Sequence, residues 1–174
     1  MHELKALAPP RIKWALELLD VQPHDSVLEI GCGSGIAAQR ILEKLTGKGW
    51  YYGVDKSDVA VKATFKRVHD PDHPDRAIIR KGAFEADNHE PLIFSRVLAV
   101  NCNVFWTDDG EALRGVGRLT RKHSTFVQVY EPPSTAQRTK IARILQERMT
   151  HMFGDVEITK RSLGDALLLA AVVR

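Results

Sequence analysis

The nine residues Val27-Leu28-Glu29-Ile30-Gly31-Cys32-Gly33-Ser34-Gly35 constrain the fold more than any other stretch of the chain. Val27, Leu28 and Ile30 read as a buried strand, after which glycine takes every second position at Gly31, Gly33 and Gly35. Helical spacing follows at once, because Ala38, Ile41, Leu42 and Leu45 fall at i, i+3, i+4 and i+7. The glycines therefore make the tight turn between a strand and the helix packed on it. Such a turn brings bare backbone close to a ligand, under a helix N-terminus whose N–H groups lack partners. This is a nucleotide-type site.

Two carboxylates say which nucleotide. Glu29 stands one residue before the strand end, where a fixed negative charge repels a pyrophosphate and suits a cation. Twenty residues beyond Gly35, a second strand of Trp50, Tyr51, Tyr52, Gly53 and Val54 ends in Asp55, at the distance where an acidic residue accepts hydrogen bonds from ribose hydroxyls. A ligand with an amino-acid end, a ribose and no phosphate satisfies both, and S-adenosylmethionine is such a ligand. A dinucleotide reading competes, since Gly33, Gly35 and Ala38 meet the relaxed G-x-G-x-x-A pattern of nicotinamide and flavin enzymes.

At these residues the sequence resembles the class I S-adenosylmethionine-dependent methyltransferases. Glu29-Ile30-Gly31-Cys32-Gly33-Ser34-Gly35 looks like their first motif, E-x-G-x-G-x-G, and Asp55 like the acidic residue ending their second strand. The alternation of strands and helices fits that family from about Asp25 to Arg174. The resemblance implies an α/β, Rossmann-like three-layer sandwich, with a seven-stranded, mostly parallel sheet closed by an antiparallel C-terminal hairpin. It also implies the cofactor site: Glu29 near the methionine ammonium, Gly31 and Gly33 admitting the cofactor, Asp55 on the ribose and Lys56 along the adenine.

Length and composition bound the rest. A chain of 174 residues with 44% hydrophobic content is expected to form one domain, a helical segment over 1–23 followed by a core over 24–174. That leaves no room for the separate substrate region a dinucleotide enzyme needs. The net charge of +3 comes from spread rather than massed basic residues, so a nucleic-acid partner receives no electrostatic support. Cys32 and Cys102 form no CxxC pair or disulfide framework, and the longest apolar run, Ala166 to Val173, is far short of a membrane span. With no signal-peptide pattern in Met1 to Lys13, the expectation is a cytoplasmic protein without membrane contact.

Taken in order, Pro9 and Pro10 open a helix whose face of Ile12, Ala15, Leu16 and Leu19 is stopped by Pro23, and which serves for packing or as a lid bearing Trp14. Ser57 or Asp58 caps a helix with a core stripe of Val61, Thr64, Phe65 and Val68. The His69 to Asp75 segment offers histidines and carboxylates, but Pro71 and Pro74 make it a solvated turn rather than a metal site. Ala77, Ile78 and Ile79 form a third strand, and Lys81-Gly82-Ala83-Phe84 occupies the adenine position of the resembled family. Gly82 stands where many relatives carry Asp, which leaves backbone at Ala83, the Phe84 ring, or Glu85 and Asp87 to make that contact.

A fourth strand, Val97 to Val100, ends in Asn101-Cys102-Asn103-Val104-Phe105-Trp106, which matches the N-x-x-x-F-W of many small-molecule methyltransferases and lacks the prolines of an N-P-P-Y motif. Asn101 then faces the cofactor, while Asn103 and Trp106 border the acceptor. Asp108 and Glu111 read as a capping box for a helix through Leu113, Val116 and Leu119, weakened by Gly115 and Gly117 unless these admit close packing. Thr120 to His123 is a solvated basic turn. Phe126 to Tyr130 is a fifth strand, leaving through Glu131-Pro132-Pro133 at the cofactor edge, and Ser134 with Gln137 caps a helix that turns Ile141, Ile144, Leu145 and Met149 inward. Val156 to Arg161 and Ala166 to Val173 form the terminal hairpin.

Methyl transfer needs alignment more than a catalytic group. The expected function is transfer to a small-molecule acceptor entering over Asn103, Trp106 and Glu131. Glu131, His89 and His123 are the candidate bases if the acceptor must lose a proton. The expected alternative is a module that binds S-adenosylmethionine or S-adenosylhomocysteine without turnover. With so little chain beyond the core, a second copy is a possible partner in completing the pocket.

Overall fold

The structure is a computed structural model that describes residues 8–84 and 92–174. Its strands are β1 (Ser26–Ile30), β2 (Trp50–Asp55), β3 (Ala77–Lys81), β4 (Arg96–Val100), β5 (Thr125–Tyr130), β6 (Glu157–Leu163) and β7 (Ala166–Val173). Its helices are α1 (Pro10–Leu19), α2 (Ile36–Lys44), α3 (Asp58–Val68), α4 (Val104–Thr107), α5 (Glu111–Leu119) and α6 (Thr135–Phe153). The strands form one sheet in the order β3-β2-β1-β4-β5-β7-β6. β1 to β5 run parallel, and β7 inserts antiparallel between β5 and β6. This is the expected Rossmann-like sandwich, with its terminal hairpin turned tightly at Gly164-Asp165.

Strand alternation sends the apolar side chains to two layers. Leu28, Ile30, Val97, Ala99 and Phe126 pack on one face with Phe105, Val116, Ile141 and Leu145 from α4, α5 and α6. Val27, Tyr51, Leu98 and Val127 pack on the other with Trp14, Leu19, Ala38 and Ile41 from α1 and α2. The central strands β1 and β4 are covered on both sides, which is why they read as nearly continuous apolar runs. Trp14 is 2% exposed, with the Arg161 guanidinium 4.8 Å from its ring centroid, so α1 is a packing helix on that face and Trp14 is part of the interior.

Two local expectations need correction. Of the stripe on α3 only Thr64 is buried, and Phe65 is 52% exposed and stacked on His69. α3 lies over the β3 edge of the sheet, so there is no further strand for the outer half of its stripe to cover. Asp108 is not the N-cap of α5: the short helix α4 ends there, and the cap position is Gly110 at φ +96°. Asp108 still accepts hydrogen bonds from the N–H groups of Gly110 and Ala112, but Glu111 turns outward to Arg114 and Arg118. Ser57 and Ser134 are N-caps as expected, accepting from the N–H groups of Ala60 and Gln137, and Asp58 is the first helical residue.

Gly115 and Gly117 separate on contact. A Cβ at Gly115 would lie 3.0 Å from the Phe84 ring, whereas at Gly117 it would meet Met152 and Phe153 only at 3.8 and 3.9 Å. Gly117→Ala is expected to raise stability by about 0.5–1 kcal/mol through helix propensity, and Gly115→Ala to lower it by about 1 kcal/mol through overpacking. Thermal or urea unfolding of the pair checks this, and equal shifts would contradict the packing role of Gly115.

Candidate active site

The turn after β1 has all three of its glycines in the left-handed region, at φ +77°, +56° and +77° for Gly31, Gly33 and Gly35. Side chains from the next βα unit hold it open. The Asp55 carboxylate accepts from the Gly33 N–H at 2.9 Å and from the Ser57 N–H at 2.9 Å. The Thr64 hydroxyl donates to the Gly33 carbonyl at 2.9 Å and Arg67 Nε to the Ser34 carbonyl at 2.8 Å. Backbone bonds from Gly31 and Cys32 to the Val54 carbonyl tie the turn to β2. Gly35 packs on α3 with no space to spare, since a Cβ there would sit 2.9 Å from Thr64 Cα.

A cleft of ≈ 310 Å³ opens between this turn and the segment leaving β4. Of the expected site residues it brings together Gly31, Asp55, Lys56, Phe84, Asn101 and Asn103, and it adds Ile30, Val54, Gly82, Cys102 and Val104. Asn101 has φ +54°, and its side-chain oxygen accepts from the Glu131 N–H at 2.8 Å, which leaves its backbone on the cleft wall. Tyr130 is buried, its hydroxyl 2.7 Å from the Cys102 carbonyl, so it props the same wall from behind. Phe84, 4% exposed, serves both as cleft lining and as packing against Gly115.

The remaining expected residues lie around this cleft rather than on its lining. Gly33 sits under Asp55, and Ala83 lies beside the lining pair Gly82 and Phe84. Trp106 is on α4, packed against the core, and its buried indole N–H has no hydrogen-bond partner among the described residues. Glu131 is paired to Arg11 of α1 at 2.7 Å, across 120 residues of sequence. His123 precedes β5, at the sheet edge opposite the cleft, and is remote from any acceptor bound there. Glu85, Asp87 and His89 lie outside the described residues.

Glu29 is 3% exposed and accepts a hydrogen bond from the Tyr51 hydroxyl at 2.6 Å. Burial pushes its carboxyl up to about 8, against the downward pull of that hydrogen bond. The fixed negative charge read from the sequence is therefore a neutral acid in the free chain at pH 7. Burial likewise pushes the Cys32 thiol up to about 11, which excludes it as a nucleophile. An acid raised on folding contributes stability that is complete below its unfolded value, near 4.5, and is lost as the pH climbs through about 8. Glu29→Gln is thus expected to gain on the order of 5 °C in Tm over the parent chain at pH 9 and almost nothing at pH 5. Parallel pH curves for the two would remove Glu29 as the source of this loss.

Sequence reasoning passed over Tyr51, Cys102 and Arg11. Tyr51 carries a sequence signal, a phenol on the strand beside Glu29, whereas the Arg11–Glu131 pairing has none.

The arrangement suits a ribosyl cofactor. The Asp55 carboxylate keeps acceptor capacity for two hydroxyls, and Ile30, Val54 and Phe84 give an apolar wall for a base. Fold and site together define a class I S-adenosylmethionine-dependent methyltransferase. The sequence profile of the methyltransferase domain family matches residues 27–123, and the chain belongs to that family. S-adenosylmethionine is its cofactor.

Relatives agree on the class. The chain is 22% identical over 167 residues to an uncharacterized methyltransferase, YdaC, of Bacillus subtilis (strain 168), covering 93% of this chain and 90% of that one. Among solved structures it is similar in fold to a ribosomal protein L11 methylase of Lactobacillus delbrueckii subsp. bulgaricus, with TM-score 0.67, 16% identity, and 94% and 76% of the two chains covered. It is also similar to the plantazolicin methyltransferase BpumL in complex with SAH, with TM-score 0.66, 15% identity, and 92% and 79% covered.

Proposed function

We propose that this chain is a cytoplasmic, single-domain methyltransferase that acts on a small-molecule acceptor. The cofactor is held by Glu29, Gly31, Gly33, Asp55, Lys56, Ala83, Phe84 and Asn101, and the acceptor enters over Asn103, Trp106 and Glu131. The observation that carries the acceptor class is the charge of the rim. Asn101 to Thr107 contains no cation, and Arg11, the cation nearest on α1, is already bound to Glu131. Among the described residues the cations beside this segment are Lys56 on the cleft and Arg148, which is held by the Phe105 carbonyl and Asp108, so the segment itself offers a phosphate-rich acceptor no counter-charge. Among the described residues no helix is long and apolar enough to cross a membrane.

S-adenosylmethionine, when bound, supplies a methyl group on a sulfonium that already leaves readily, so the residues of the chain have to align and shield rather than activate. Asp55 and the wall of Ile30, Val54 and Phe84 fix the adenosine end. The turn positions the amino-acid end, and Asn103 sets one side of the approach path. Glu131 in its pair with Arg11 orients the rim.

The test is a transfer assay with methyl-labelled S-adenosylmethionine and a cell extract separated into small molecules, RNA and protein. Label in the small-molecule fraction is expected. Label confined to RNA or protein would overturn the acceptor class while leaving the enzyme class intact.

A further inference from the structure

The Glu29 side chain does not point into the cleft. Alternation along β1 places Leu28 and Ile30 on the α4–α6 face, and Val27 and Glu29 beneath α1 and α2. Among the described residues, the titratable groups that face the carboxyl are Tyr51 and Asp55 from β2 and Cys32 from the turn, and none of them is a cation. Helices α1 and α2 bring apolar side chains to this layer, among them Trp14, Ala38 and Ile41. A buried carboxyl in such surroundings is one charge short of a partner.

The room for its one hydrogen bond is made by a glycine. A Cβ at Gly53 would lie 2.7 Å from the Tyr51 hydroxyl oxygen and 2.9 Å from the ring, and Tyr51 is fully buried. Gly53 is in an ordinary strand, without positive φ, so its lack of a side chain serves space rather than backbone freedom. The run Tyr51-Tyr52-Gly53 on β2 is thereby matched to Glu29 on β1, whose register partner is Gly53 itself.

Resting on the reading that S-adenosylmethionine occupies the cleft, we propose that Glu29 is a proton-releasing counter-charge, neutral in the free protein and ionised when the cationic end of the cofactor settles on the turn that begins two residues later. Tyr51 is the positioning residue that holds the resulting carboxylate, and Gly53 is the gap that admits it. On binding, the carboxylic O–H bond breaks, the proton goes to solvent, and the oxygen keeps the hydrogen bond from the phenol. A nearby cation and a donated hydrogen bond both favour the charged form, while burial opposes it. Cofactor affinity is therefore linked to pH, rising up to about tenfold per unit between pH 6 and 8.

Isothermal titration with S-adenosylmethionine at pH 7, in phosphate and in Tris, counts the protons released. About one is expected from the wild type and close to none from Glu29→Gln. Tyr51→Phe removes a hydrogen bond that favours the carboxylate, so its affinity-versus-pH curve should move to higher pH, with about 3–10-fold weaker binding at pH 7. Gly53→Ala, which displaces the same hydroxyl, should move it in the same direction. Melting curves confirm that each variant is folded. If the wild type binds but releases no proton, or Glu29→Gln releases as many, the proposal is overturned and the cofactor reading stands. Curves for Tyr51→Phe and Gly53→Ala that coincide with the wild type overturn the role of Tyr51. Absence of any binding overturns both.

Discussion

Asp55→Ala is expected to weaken S-adenosylmethionine binding by about 100-fold or more while the chain stays folded. The estimate follows from what the carboxylate does twice over. On the proposed reading it accepts from two ribose hydroxyls, and hydrogen bonds to a charged group contribute about 1.5–3 kcal/mol each, so losing even the smaller pair removes about 3 kcal/mol. It also fixes the turn by accepting from the N–H groups of Gly33 and Ser57. Without it the Gly33 N–H must find water and the turn is less well shaped for the ligand. Asp55→Asn keeps the size but only one acceptor oxygen, so either the Gly33 or the Ser57 N–H loses its partner, and its affinity is expected to fall between those of the parent and Asp55→Ala. Titration calorimetry gives the affinities and a melting curve the stability. Unchanged affinity in Asp55→Ala would mean that the ribose lies elsewhere.

A large loss of stability from a single methyl group is expected at Gly35. There φ is +77°, a conformation that costs an L side chain about 1–2 kcal/mol, and the new Cβ would press on Thr64 Cα at 2.9 Å, a backbone atom that cannot rotate aside. Together Gly35→Ala should lose about 3 kcal/mol, a fall of roughly 6–12 °C in Tm for a chain of this size. Thr64 is the residue whose hydroxyl holds the Gly33 carbonyl, so the same substitution should also weaken the cofactor site. Gly33→Ala is the control. It shares the positive φ of +56°, but the nearest atom to its Cβ is a carbonyl oxygen at 4.0 Å, so only the conformational cost of about 1–2 kcal/mol remains. Equal destabilisation of the two would show that contact with α3 is not what reserves position 35 for glycine.

What was legible in the sequence was what has a local period. β4 is buried on both faces and reads as an apolar run, β1 and β5 are nearly so, interrupted by Glu29 and Gln128, and Gly31, Gly33 and Gly35 announce a turn because they take three left-handed positions in a row of five. The hairpin of β6 and β7 was visible for the same reason. α4 was not, because four residues complete barely one turn and show no stripe, and its presence displaced the capping box read at Asp108. The α3 stripe misled because periodicity reports an apolar face but not whether the sheet extends far enough to cover it, and Phe65 overhangs the β3 edge.

The site divided along the same line. Asp55, Asn101 and Asn103 follow from the fold, since ligands gather at the carboxyl ends of parallel strands where their order reverses. Glu29 was identified by position but misjudged in charge. Its carboxyl is raised chiefly by burial, with the Tyr51 hydrogen bond opposing and Asp55 adding to the rise, and no spacing rule shows that enclosure. The pairing of Arg11 with Glu131 joins opposite ends of the chain and exists only once α1 packs beside β5.

A crystal structure of the chain with S-adenosylhomocysteine bears most directly on how this glycine turn chooses its ligand. Both ribose hydroxyls should meet the Asp55 carboxylate, with the base against Phe84 and the amino-acid end over Gly31 and Gly33. A nucleoside seated away from Asp55, or a turn that instead gathers a diphosphate, would contradict the account.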